Sequence, residues 1–268
     1  MKFLKANYSG VMKKMPKEQM KSIENLLKEI QQMRNGFDFA DANKLIADAT
    51  TFMEMSKKIF KYVRHLYFLD NRLPFQSRNK NHVFINVEWF NTWAPGDLSK
   101  VESSPLLKYE ICCILYNCGI WLLRNGNNNL IYMFRYRDQQ GKDLQAASLD
   151  QFRRAMWYFT QAQVALEKVE KTMKMALSSD NLIFLGKLAE AGASLAEASN
   201  TEGKDDEHKA KDMRGAELLF SAVYQKMHKD MKPFYPKNIK VHLEKYIHYW
   251  RARTDHTAHV YMGAFLRK

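Results

Sequence analysis

The side chains of this sequence best equipped for chemistry are three cysteines, Cys112, Cys113 and Cys118, and four late histidines, His242, His248, His256 and His259. Thiolates and imidazoles together can hold zinc. The arrangement Cys-Cys-x4-Cys, however, lacks C-x2-C pairs and has no histidine nearby. Adjacent or helically spaced thiols within one apolar run also make poor disulfide partners, so these read as reduced core thiols. His256 and His259 are spaced to share a helix face, but Asp255 is the one acid beside them. That is too few ligands for a metal, and the histidines read as solvated or capping groups. There is no G-x-S-x-G elbow, phosphate-cradling glycine loop, catalytic carboxylate pair or H-E-x-x-H helix. No catalytic residue, cofactor or metal is expected, and the chain is not expected to be an enzyme. Trp89, Phe90 and Trp93 beside Arg78 and Lys80 have the composition of a base-stacking platform. The RNP-type motif is absent, and packing of a sheet on a helix explains the same aromatics, so nucleic acid is not an expected partner.

The elements that carry these residues read as helices. Met20, Ile23, Leu26, Leu27, Ile30 and Met33 recur at three- and four-residue spacing, and Asn35-Gly36 ends that helix. A longer one is expected from Ala40 to about Leu69, and the two should form an antiparallel hairpin. Val83, Ile85, Val87 and Trp89 alternate instead with Phe84, Asn86 and Glu88, a strand pattern whose best available partner is Phe3 to Val11. A helix starting near Ser104-Pro105 and running to Arg124 is apolar nearly all round. Asn125 to Asn129 reads as the following loop. Ser148-Leu149-Asp150-Gln151 resembles a capping box opening a helix from Phe152 to Leu177. Helices over about Asn181 to Ala198 and Lys209 to Met231 carry small residues suited to close packing, and a last one follows Pro233 and Pro236 from about Ile239 towards Phe265.

With 268 residues, 46% hydrophobic content and 11 Gly and 6 Pro scattered without a linker-like stretch, the chain is expected to fold as a single domain, 1–268. No run reaches the length of a membrane span, and the first fifteen residues lack a signal core, so a cytoplasmic protein is expected. The net charge of +13 points to an acidic partner: nucleic acid, anionic lipid or an acidic protein segment.

Several segments, taken in order, resemble the BRO family of scaffold domains. They are the opening Leu4-Lys5-Ala6-Asn7-Tyr8; Leu73-Pro74-Phe75 with Val83 to Trp93; Leu107 to Gly119, with its Tyr109-Glu110 and Leu115-Tyr116-Asn117; Phe152 to Glu170; and Leu188-Ala189-Glu190-Ala191. Asn91 and Trp93 depart from the Asp and Phe of the family, Gly186 and Lys187 stand where it has larger apolar residues, and the chain stops several helices short. It is therefore identified as a divergent, C-terminally shortened member. The resemblance implies an all-α, curved helical-hairpin (TPR-like) solenoid with a small β-sheet near its N-terminal end, built from about 3–11 and 83–89. It also implies a non-enzymatic adaptor, cytoplasmic and peripheral on endosomal membranes, that serves endosomal sorting and membrane remodelling. Its partner would be the C-terminal amphipathic helix of a Snf7-type ESCRT-III subunit, held in an apolar groove. The wall of that groove would come from the helix Asn181 to Ala198 and the helix before it. Met173, Leu182, Leu185 and Leu188 are the expected apolar contacts, and Lys187 is the expected contact for an acidic side chain. The alternative is a basic scaffold that binds anionic lipid directly.

Overall fold

The computed structural model describes residues 16–36, 49–72, 87–90, 101–104, 106–136, 139–167, 177–230 and 237–267. Among them are seven helices: α1 (Lys17–Asn35), α2 (Ala49–Arg72), α3 (Leu107–Met133), α4 (Gln139–Leu166), α5 (Ser179–Ala198), α6 (Asp206–Lys229) and α7 (Lys237–Phe265). Each packs chiefly on its neighbour in the chain, and α3 also reaches α5. Short connections favour this order, because each new helix buries its apolar side on the one just made. One hydrophobic cluster runs from Leu27 on α1 to Ala258 on α7.

Two helix starts show their local cause. Ser178 caps α5, its hydroxyl accepting from the Asn181 N–H at 3.2 Å. Asp205 caps α6 through the His208 N–H at 2.8 Å, and Asp206 and Glu207 in the first turn face Lys226, His228 and Lys229 in the last, as the helix dipole favours.

At the centre, Phe152 of α4 is fully buried between two glycines. A Cβ at Gly192 of α5 would lie 2.6 Å from the Phe152 ring, and one at Gly126 of α3 would lie 3.0 Å from it. The absence of side chains at both positions lets three helix backbones close on one aromatic ring.

Two expectations from sequence are corrected here. Asn125 to Asn129 is no loop, since α3 continues through it to Met133. Tertiary bonds outweigh the poor helix propensity of Asn and Gly: the Gly126 carbonyl accepts from the Ser148 hydroxyl at 2.7 Å, Asn129 donates to Gln151 at 3.0 Å and Asn127 accepts from the Trp250 indole N–H at 3.2 Å. For the same reason Ser148 is not a cap. It sits buried inside α4, which begins at Gln139. The expected strand partner, 3–11, lies outside the described residues, as do 83–86. Among the described residues Val87–Phe90 (β1) pairs with Val101–Ser104 (β2), antiparallel, with Val87 opposite Ser104 and Phe90 opposite Val101. The Val-Glu-Ser-Ser sequence of β2 carries almost no alternation by which to recognise it.

Candidate partner-binding groove

Helices α4 and α5 run antiparallel, tied by Gln163 to Ser179 at 3.3 Å near one end and by Gln145 to the Ala196 carbonyl at 2.7 Å near the other. Between them lies a groove of about 300 Å³. Met156, Thr160 and Gln163 line it from α4, and Ile183, Gly186, Lys187 and Glu190 line it from α5, over a floor of Phe159 and Leu182. Each row repeats at three or four residues, so each is one outward stripe of a helix, and together they offer a seam along which a third helix can lie. The groove is mixed in character. Ile183 is 37% exposed, the Thr160 hydroxyl is already given to the Met156 carbonyl at 3.0 Å, and Lys187 pairs with Glu190 at 2.7 Å on the rim.

The α5 residues expected from sequence divide around this groove. Lys187 lines it, and Leu182 forms part of its floor. Leu185 and Leu188 do not: Leu182, Leu185 and Leu188 are 1%, 3% and 2% exposed and belong to the core. Their stripe faces inward, so they are no exposed anchors. The outward row is Ile183, Gly186, Lys187 and Glu190, offset by one residue. Met173 lies outside the described residues.

The chemically capable side chains of the sequence are also accounted for. Cys112, Cys113 and Cys118 are free and buried. The Cys112 thiol donates to the Ala162 carbonyl at 3.4 Å, and burial pushes it up to about 12 from an ordinary 9.0. Burial pushes Cys118 up as well. Burial thus disfavours, at both, the thiolate that nucleophilic or metal chemistry needs. His242, His248, His256 and His259 are exposed on α7, where His259 approaches Asp255 at 3.5 Å. Among the described residues no three His, Cys, Asp or Glu converge as a metal site. Trp89 is no stacking platform, because it packs on the core and its indole N–H donates to Glu110. Arg78, Lys80 and Trp93 lie outside the described residues.

Glu110 is the residue whose role sequence reasoning missed. It is completely buried, yet Arg34 of α1 grips its carboxylate at 2.7 and 3.2 Å and the Tyr62 hydroxyl of α2 donates to it at 2.7 Å. The Arg34 guanidinium also lies 5.5 Å from the centre of the Trp89 ring. Burial, with the Glu110 carboxylate beside it, holds the Tyr62 hydroxyl well above its ordinary value. The available signal was a lone acid inside a helix apolar on every side, a place tolerated only with partners.

Against known proteins, a family model described as BRO1-like domain matches residues 4–264. The chain belongs to the BRO1-like domain family. This family is one of non-enzymatic scaffold folds. No curated protein sequence matches the chain. Solved BRO1 structures do. An ALIX BRO1 domain in complex with CHMP4C aligns with a TM-score of 0.70 and 12% identity over 91% of this chain and 63% of that one. ALIX bound to the SIVmac239 late-domain peptide PYKEVTEDL aligns with 0.72 and 13% over 96% of this chain and 35% of that one. The Bro1 domain of a structure concerned with endosomal targeting aligns with 0.67 and 15% over 99% and 68%. This BRO1-like chain thus spans less than two thirds of the two ALIX chains, and the likeness at such identities is one of fold. Among its described residues no helix is long and apolar enough to cross a membrane.

Proposed function

We propose that this chain is a non-enzymatic adaptor whose α4/α5 groove takes the amphipathic C-terminal helix of a Snf7-type ESCRT-III subunit, bringing it to endosomal membranes for sorting and remodelling. The observation that carries this is the pair of outward rows flanking the groove, Met156, Thr160 and Gln163 against Ile183, Gly186 and Lys187. Their spacing matches the i, i+3, i+4 anchors of a helix laid in a groove. The CHMP4C complex of an ALIX BRO1 domain supports the choice of partner. Lys187 on the rim supports an acidic residue in that helix.

Two substitutions on α5 test the site. Ile183→Asp places a charge on the exposed row, where it stays hydrated, so the variant should melt like the wild type and fail to capture a CHMP4C C-terminal helix. Leu185→Asp, two residues on, buries an unpaired charge and should unfold the chain. An Ile183→Asp variant that folds and still binds removes the groove assignment.

The net charge of +13 supports the second reading, direct attachment to anionic lipid. Liposome binding through that charge should fall steeply with salt, whereas capture of the helix should persist.

A further inference from the structure

We infer that Gly186 sets the specificity of the groove by leaving a socket for one large apolar side chain of the partner helix; the inference rests on the groove reading above. Along the outward row of α5, Ile183 and Lys187 project side chains, and Gly186 between them has none. A Cβ built there meets no neighbouring atom within 4 Å, in contrast to Gly192 six residues later, whose Cβ would strike the Phe152 ring. The groove therefore deepens at Gly186 to the helix backbone, beside the Leu182 floor. A partner helix seated on the seam presents one residue over this gap. A Leu, Met, Phe or Trp fills it. A small residue leaves a void whose lining loses its dispersion contacts.

The rim fixes the neighbourhood of that residue. Lys187 and Glu190 are paired at 2.7 Å with their side chains 56% and 36% exposed, so both charges remain hydrated and available. An acid of the partner within one turn of the large residue can join Lys187. The partner class is thus an amphipathic helix whose apolar stripe has one dominant bulky anchor flanked by acid, and it is distinct from a stripe of equal small anchors.

The test uses the 268-residue chain and a labelled CHMP4C C-terminal helix, in which each apolar position is changed in turn to Ala. Affinities are measured by fluorescence anisotropy. One position should dominate, its Ala form losing about tenfold or more, the equivalent of about 1.4 kcal/mol. Gly186→Leu fills the socket. It should weaken the unmodified helix by a similar factor and bind the Ala form of the dominant position at least as well as the unmodified one. Gly186→Ala should fall between, and its melting temperature shows that the fold is kept. If Gly186→Leu binds the whole panel as the wild type does while Ile183→Asp binds none of it, the socket is refuted and the groove stands. If the wild type fails to bind the unmodified helix, or Ile183→Asp binds it undiminished, the groove reading and this inference fall together.

Discussion

Where α1, α2 and β1 meet α3, the contact is charged: one buried carboxylate, Glu110, receives bonds from Arg34, Tyr62 and Trp89. Where α3, α4 and α5 meet, it is chiefly steric, with the Phe152 ring lodged against Gly126 and Gly192. The first junction spans 76 residues of sequence between Arg34 and Glu110 and joins elements that otherwise touch α3 sparingly. The second joins α3 and α4, whose contact is the most extensive between any two described elements. Directional bonds fix a relative orientation from few contacts, at the cost of desolvating an ion pair. Shape fixes it from many contacts and fails only when volume changes. The two junctions should therefore break in different ways.

The largest effect is expected at the charged junction. Glu110→Gln keeps the shape but removes the buried charge that Arg34 grips, which should cost about 3–5 kcal/mol in denaturant unfolding. Because Arg34 and Glu110 share one network, the double variant Arg34→Met, Glu110→Gln should lose clearly less than the sum of the single changes. Additive losses would show that the pair does not act as a unit.

The same junction should set an alkaline limit. Tyr62 holds its proton more tightly folded than unfolded, where its ordinary value is 10.0. A raised folded value contributes stability that is complete below the unfolded value and lost as pH rises through the folded one. Cys112, raised from 9.0 to about 12, acts with the same sign. The melting temperature should hold from neutral pH to about 9 and fall beyond it, and Tyr62→Phe should fall less steeply from its own neutral-pH value. Equal slopes for the two proteins would detach Tyr62 from the effect.

What the sequence made legible follows the same division. Helix α5 and its close-packing glycine and alanines were readable from spacing, and the family from the order of several short motifs. Which stripe of α5 faces out was not. Leu182 and Ile183 are neighbours, equally apolar, and only the packing of α4 and α6 on either side decides that Leu182 lies at 1% exposure and Ile183 at 37%. The Asn-rich stretch 125–129 misled because its helical state depends on bonds with Ser148, Gln151 and Trp250, the last of them 123 residues away from Asn127. Local propensity carries no trace of such partners.

At the steric junction a single methyl group is enough. Gly192→Ala would bring its Cβ to 2.6 Å from a ring that has no room to retreat, and should destabilise by about 1–3 kcal/mol as over-packing does. If this clash is the cause, Phe152→Leu should recover part of the loss in the Gly192→Ala background, although it costs stability alone. A Gly192→Ala protein as stable as the wild type would show that the three helices separate easily.

The smallest effect uses the same substitution on the same helix and should have the opposite sign. Gly186 lies six residues before Gly192, but it faces the groove, and an added Cβ there meets nothing within 4 Å. No contact is strained, so only the backbone term remains: glycine in a helix interior costs roughly 0.5–1 kcal/mol relative to alanine, through its freedom in the unfolded chain. Gly186→Ala should therefore raise stability by about that amount, read as a small increase in denaturant midpoint at unchanged slope. Opposite signs at 192 and 186 would identify one face of α5 as packed and the other as open. A loss at 186 comparable to that at 192 would mean that the groove is already filled in the native protein, and no partner helix could then enter it.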